Sequence, residues 1–446
     1  MTGKRKLSVD GELWSRWLAL ERKHPRKVVL IDAATNAGLT VAQITYAATA
    51  FAPFLTSCRP GHRVAFRLPN GPDWLALFLA LQKAGLAAIP LDGALPREGA
   101  IETACRLGAR AIYLEGALHH LVPSRPRRDR AACIKVTSGS GSLPKAIACR
   151  AAHLLADGTN IIRTMGLRAG DRNLAVIPLG HSYGLGNLLM PLLLQGTALV
   201  TAAEYVPRQL LEWMNRHRIT VFPGVPALFR VLASLPRESG RAKTLRTAIS
   251  AGAVLPPVVA QAFHARFGVK VHNFYGSSET GGICYDRTGA VSLTGASVGR
   301  PLAGVTVAVK SGRITIAGAA VATRTGRWIA GDLGEWNARG ELVLLGRRAQ
   351  DANIGGKKVH PLEVERLLRS LPGVTDAAVW LVQEQDRDFL AAAVETASPR
   401  DEIERALAAR LPTWKLPRTL LVAHELLRTA RGKLDLMALK NSQRST

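Results

Sequence analysis

The stretch VTSGSGSLPKAI, Val136 to Ile147, sets four hydroxyl side chains and two glycines ahead of Pro144 and Lys145. Such a run frees backbone N–H groups to converge on an anion, and the lysine behind it adds a positive charge. It reads as a cradle for a polyphosphate. It is not a Walker loop, because Ala146 follows the lysine where Ser or Thr is required. Taken alone, the segment also reads as a Ser/Gly linker.

Further candidates follow in order. NFYGSSETGG, Asn273 to Gly282, offers Tyr275 to stack on a base, Ser278 to bond a phosphate oxygen and Glu279 to hold Mg²⁺, a cation that takes hard oxygen ligands and substrate phosphates. The same letters also fit a turn with a capping box. Asp332 in AGDLGEW suits a ribose diol, and Arg347 in LLGRR suits ribose or phosphate oxygens. Lys433 sits on a glycine turn in RTARGKLD. A rival motif is the G-x-S-x-G of Gly180-His181-Ser182-Tyr183-Gly184, which would make Ser182 the nucleophile of an α/β-hydrolase, with Asp376 and His424 completing a triad.

Strands and helices alternate around these residues. VAFRL, LAAIPL, RAIYL, LAVIPL, TALVTA, ITVFPG and TAISAG are strand-like, each with a helical stretch behind it, which argues for doubly wound α/β layers. From Val298 to Leu345 the pattern changes to short strands with glycine turns, the mark of a small β element. After Arg348 comes an α+β module: a helix at PLEVERLLRSL, strands at TDAAVWLVQ and FLAAAVE, a helix from Asp401 to Leu411, and a last strand at TLLVA.

At 446 residues the chain exceeds one compact core, so two or three domains are expected. The formal charge is +26. From Ala349 onward 15 basic residues face 13 acidic ones, so +24 belongs to the first 348 residues. That excess attracts anionic ligands such as a nucleotide, coenzyme A or an acidic carrier protein. No zinc spacing, RNP-like aromatic motif or basic heptad helix accompanies it, so nucleic acid is not expected. The five cysteines stand singly, as reduced structural thiols do. The apolar regions are interrupted by Gln82 and Lys83 or by Gln195 and Gly196, so no membrane span is expected, and no apolar run of signal type follows MTGKRKL. A cytoplasmic location is expected.

Taken in order, the motifs resemble the adenylate-forming superfamily of acyl-CoA synthetases, peptide-synthetase adenylation domains and luciferases, from about Leu39 to Leu434. The first motif is similar to the family's T-S-G-T-T-G-x-P-K-G, with Gly141, Ser142 and Ala146 as departures. The resemblance implies a large N-terminal domain, residues 1–348, made of two doubly wound α/β subdomains and a β-barrel-like element. A small mobile α+β domain, residues 349–446, carries the catalytic lysine.

By that resemblance Thr137, Ser138, Gly139, Ser140 and Lys145 hold the β- and γ-phosphates of ATP, Gly252, Ala253 and Val254 pack one face of adenine, and Tyr275 with Gly276 takes the other. Ser278 takes the α-phosphate, Asp332 and Arg347 the ribose, Glu279 the metal, and Lys433 bridges the incoming carboxylate and the α-phosphate. His181 falls beside the acyl channel, with Phe274, Gly276, Gly281 and Gly282 in the pocket. The implied reaction joins a carboxylic acid larger than acetate, fatty or aryl, to the thiol of coenzyme A or of a carrier protein's phosphopantetheine. IGGKKVHPLEVE, Ile354 to Glu365, matches the segment that reaches the channel when the small domain swings, whereas Ala349 and Gln350 depart from the family's acidic hinge. A nucleotide-binding protein without catalysis is the remaining alternative.

Overall fold

The computed structural model describes residues 11–444 apart from positions 94, 124–126, 138–144, 203–205, 348–351, 355, 356, 360, 385, 386, 430, 431 and 433. Two large sheets form its body. One has six strands in the spatial order Ala117–His120, Ala111–Leu114, Arg63–Phe66, Ala87–Pro90, Cys133–Thr137 and Lys145–Cys149. The other has nine, with a parallel centre of Val28–Asp32, Ala198–Thr201, Arg172–Ala175, Val221–Gly224, Thr247–Ser250 and Val271–Ser277.

These central strands are short apolar runs because both faces are covered. The helix Pro72–Lys83 shows how far the covering goes: every residue from Trp74 to Gln82 is buried. A helix apolar on all sides belongs in a core, and its core cluster joins Val64, Phe66 and Ala88 of the six-stranded sheet to Leu30, Ala175 and Leu199 of the nine-stranded one.

The strand at RAIYL is not followed by a helix. Glu115 and Gly116 both take positive φ (51° and 84°), and the chain returns as the antiparallel strand Ala117–His120. A two-residue loop of that kind matches the twist of a hairpin, and it overrides the α/β rhythm at this sheet edge.

A four-stranded antiparallel sheet, Thr306–Lys310, Arg313–Ala317, Arg327–Trp336 and Leu342–Arg347, supplies the small β element. The C-terminal part is built on the strands Val374–Glu384, Arg387–Thr396 and Thr419–Ala423. The helices Pro361–Arg369 and Arg400–Ala408 pack one core of this sheet, and Leu426 and Leu439 belong to a second. Ala349 and Gln350 lie outside the described residues. No helix among the described residues is long and apolar enough to cross a membrane.

Candidate active site

The carboxyl ends of parallel strands in an open α/β sheet are where ligands bind, and the candidate residues gather there. Beyond Thr247–Ser250 the chain turns through Gly252, Ala253 and Val254. Its neighbour Val271–Ser277 runs into a hairpin with Gly281–Tyr285. Between them lies a cleft of about 310 Å³, lined by Gly252, Ala253 and Val254 on one side and by Tyr275, Gly276 and Asp332 on the other. The Tyr275 hydroxyl donates to Asp332 Oδ2 at 2.6 Å, which fixes the ring and the carboxylate together. Asp332 is also the strand partner of Arg347, whose backbone stands beside it.

SSET is the tip of a β-hairpin rather than a helix start. The hydroxyls of Ser277 and Thr280 lie 3.0 Å apart across the turn. The glycines around the tip are there for space. A Cβ on Gly276 would stand 2.6 Å from the Gly281 carbonyl oxygen, and one on Gly282 would meet the Phe274 ring at 2.8 Å. Gly281, at φ +70°, would meet the Asp157 carboxylate at 2.3 Å. Phe274 is buried and packs on Tyr183 at a centroid distance of 5.7 Å, and Tyr183 donates to the Ile249 carbonyl. Phe274 also lines the cleft.

Gly180 and Gly184 have packing explanations too. A Cβ on Gly180 would stand 2.6 Å from Pro90, and one on Gly184 would stand 2.0 Å from the Pro178 carbonyl oxygen. The G-x-S-x-G spacing thus comes from a tight turn into the helical segment that starts at Ser182. His181, just before it, has Nε2 3.9 Å from Asp92 Oδ2.

Ser182 accepts a hydrogen bond from Lys135 Nζ at 3.0 Å and donates to the Ser277 carbonyl at 3.4 Å. Its proposed triad partner Asp376 belongs to the C-terminal sheet, where it takes hydrogen bonds from Arg369 Nε at 2.9 Å and Arg428 at 3.0 Å. His424 is exposed on that same part. The hydrolase triad is therefore not assembled: with the Ala377 amide also on Oδ1 and Arg230 on Oδ2, the four acceptor sites of Asp376 are taken and none is left to orient an imidazole.

Two buried charges beneath the hairpin have no counterpart in the motif reading. Lys135, one strand position before Val136, is 3% exposed, and its ammonium also donates to the Ser278 carbonyl at 3.3 Å. Asp157 projects from the buried face of the helix Ala151–Met165 and accepts from the Gly282 amide at 2.9 Å. Burial pushes its carboxyl above the usual range, and the charge of Lys135 pulls it back. The signal was an ionisable residue at a buried register position: Lys135 interrupts an apolar strand, and Asp157 falls on the apolar face of its helix.

Lys145 opens the strand that returns from the phosphate motif, paired with Thr137 in register. The described chain thus holds both feet of that loop, whereas Ser138, Gly139, Ser140, Gly141 and Ser142 lie outside it. Lys433 lies outside it as well. Its neighbour Gly432 stands against the helix Pro226–Ser234, its would-be Cβ 2.6 Å from that of Ala227. Arg366, on the C-terminal helix Pro361–Arg369, lines the same cleft as Tyr275. That helix therefore closes one side of it. Glu279 is half-buried, and its carbonyl accepts from the Ala322 amide at 2.8 Å.

A family model described as AMP-binding enzyme matches residues 19–116 and 102–321. Among curated proteins, a 3-[(3aS,4S,7aS)-7a-methyl-1,5-dioxo-octahydro-1H-inden-4-yl]propanoyl:CoA ligase of Mycobacterium tuberculosis is 26% identical, the match covering 84% of this chain and 88% of the relative. A feruloyl-CoA synthase of Amycolatopsis is 27% identical with the same coverage. A sulfoacetate–CoA ligase of Cupriavidus necator is 30% identical over 85% of this chain and 78% of its own length. Among solved structures, ATP-bound MatB from Rhodopseudomonas palustris superposes with a TM-score of 0.85 at 21% identity, covering 98% of this chain and 99% of that one.

The chain belongs to the AMP-binding enzyme family of adenylate-forming proteins, on its acyl-CoA ligase branch. It is an AMP-forming acid–thiol ligase, using ATP to activate a carboxylic acid and coenzyme A to accept the acyl group.

Proposed function

We propose that this ligase activates a ring-bearing carboxylic acid, aryl or alicyclic, with ATP bound in the cleft between Gly252–Val254 and Tyr275. The observation that carries the placement of the nucleotide is the Tyr275–Asp332 hydrogen bond of 2.6 Å inside that cleft. An aromatic ring locked to a carboxylate offers a face to adenine and an acceptor to the ribose hydroxyls.

Adenylation joins an oxygen of the acid to the α-phosphorus of ATP and breaks the bond to the β-phosphate bridging oxygen, so pyrophosphate leaves. The acid's thioester then forms when the thiol sulfur attacks the acyl carbon, the thiol proton is lost and AMP departs. Little covalent chemistry falls to the protein, which supplies position and charge. In this reading Lys433 bridges the carboxylate and the α-phosphate, and Thr137, Lys145 and Ser278 take phosphate oxygens. Asp332 and Arg347 take the ribose. The nearness of Gly432 to Ala227 supports a small domain placed for adenylation.

Among the described residues no cluster of three or more His, Cys, Asp or Glu could cage a metal. Mg²⁺ needs no such cage, since it binds through one or two carboxylates plus substrate phosphates. Glu279 would hold it, and the ion would neutralise phosphate charge.

The acid's class rests on Phe274, which is buried, lines the cleft and packs on the partly buried Tyr183, and on relatives whose names include a feruloyl and a bicyclic propanoyl ligase. The test is a pyrophosphate-release screen over aryl, alicyclic, fatty and dicarboxylic acids, with coenzyme A and then a carrier protein as acceptor. Turnover highest with ring-bearing acids and coenzyme A supports the reading. Turnover confined to short aliphatic acids overturns the acid class, and turnover confined to a carrier protein overturns the acceptor.

A further inference from the structure

Lys135 is placed where a lysine is costly. Its strand, Cys133–Thr137, is an inner strand of the six-stranded sheet, and the neighbouring positions Cys133 and Ile134 are fully buried. An ammonium taken from water must be paired and hydrogen-bonded. Here it donates to Ser182 Oγ at 3.0 Å and to the Ser278 carbonyl at 3.3 Å, and its charge offsets part of the rise that burial imposes on the Cys149 thiol. Asp157 is its carboxylate neighbour without forming a direct ion pair, for Asp157 spends one oxygen on the Gly282 amide and rests in a slot between Gly186 and Gly281.

The four acceptors and neighbours come from separate elements: the helical segment that starts at Ser182, the hairpin tip at Ser278, the strand returning from the phosphate motif at Cys149, and the helix carrying Asp157. The ammonium ties them together. The peptide following Ser278 is trans, so when its carbonyl faces Lys135 its N–H, on Glu279, points the opposite way. A cation on the carbonyl polarises that peptide and fixes its plane.

We infer that Lys135 is a positioning residue for the nucleotide: through the Ser278 carbonyl and Ser182 it sets the hairpin tip against the phosphate-motif strand, and it keeps a fixed positive charge beneath the place where the triphosphate binds. Ser182 acquires a role in the same step, as the hydroxyl that passes the ammonium's hydrogen bond on to the Ser277 carbonyl. The inference rests on the nucleotide site proposed above.

The experiment uses the full chain and reads acid-dependent ATP–pyrophosphate exchange, the KM values for ATP and for the acid, and ATP binding by calorimetry. Lys135→Met keeps the length and removes the charge, so kcat/KM for ATP should fall roughly 10- to 100-fold while KM for the acid stays within about twofold. Lys135→Met combined with Asp157→Asn removes both buried charges, so stability should return toward wild type while ATP use stays impaired. If the double variant regains wild-type kcat/KM for ATP, Lys135 only neutralises Asp157 and the inference fails. Should neither variant fold, Lys135→Arg carries the test. It keeps the charge and changes the reach, so a raised KM for ATP alone supports the inference, and two unchanged KM values overturn it. A wild type that binds ATP but exchanges no pyrophosphate with any acid would fault the functional proposal, while the effect of Lys135 would still be read in the ATP Kd.

Discussion

Two buried charge clusters differ in how fully they are paired. Beneath the hairpin, Lys135 and Asp157 share few partners, and neither is in a direct ion pair with the other. Where the C-terminal sheet meets the helix Pro226–Ser234, Asp376 and Glu395 are surrounded by Arg230, Arg369 and Arg428. Asp376 alone accepts from Arg369 at 2.9 Å and Arg428 at 3.0 Å, and Arg230 lies 3.4 Å away. The carboxylates of the second cluster are fully engaged, so their charges are spent on holding the two parts together. In the first, the hydrogen-bonded tip is also the face that the proposed site turns to the nucleotide. Burial is common to both, and the number of partners separates a docking contact from a working site.

The comparison is easiest to break at its fully engaged end. Asp376→Leu leaves Arg230 and Arg428 on Glu395 alone and Arg369 on Glu365 alone, and breaking a buried pair in this way costs about 3–5 kcal/mol. Denaturant unfolding should show that loss, and a variant of wild-type stability would mean the cluster is more solvated than its geometry indicates. In the cleft, Asp332→Ala removes the partner of Tyr275 and the acceptor proposed for the ribose. KM for ATP should rise roughly 10- to 100-fold with little change in stability. Tyr275→Phe loses only the hydroxyl, so its effect on KM should be smaller, roughly 3- to 10-fold.

Acid titration sharpens the contrast through its sign. Burial raises the Asp376 carboxyl, but Arg369, Arg428 and Arg230 together hold it below its ordinary value of 3.8. Its stabilising contribution is present above that value and is lost as pH falls through the lower folded one. Asp157 is pushed the other way, chiefly by burial. Its folded form keeps the proton longer than the unfolded chain does, so its contribution is largest at low pH and is lost as pH rises through its raised value. Unfolding measured from acid to neutral pH should rise less steeply in Asp376→Asn and fall less steeply in Asp157→Asn than in wild type. Equal slopes in the two variants would contradict the distinction.

Most of the strands were legible in the sequence because buried parallel strands are apolar runs bounded by turns: ITVFPG yields Val221–Gly224 and TAISAG yields Thr247–Ser250. The hairpin at Glu115-Gly116 was missed because its left-handed turn is written in two residues inside an otherwise α/β rhythm. The cleft was legible as motifs, and Tyr275, Gly252 and Asp332 do line one space. Lys135 and Asp157 were not, since a single ionisable residue in an apolar segment acquires meaning only when the fold brings its partners from other elements. The G-x-S-x-G motif misled for the complementary reason: Gly184 is required by the Pro178 carbonyl, whereas Ser182 is spent on Lys135.

The central claim is that this chain makes an acyl-adenylate, and acid-dependent ATP–pyrophosphate exchange tests it most directly. With a responsive acid, wild-type protein should exchange label, and Lys433→Ala should lose at least roughly 100-fold because the cation proposed for the reacting oxygens is gone. Ser182→Ala should keep most of the exchange. Loss of exchange in Ser182→Ala with its retention in Lys433→Ala, together with labelling of Ser182 by a phosphonate, would contradict the account.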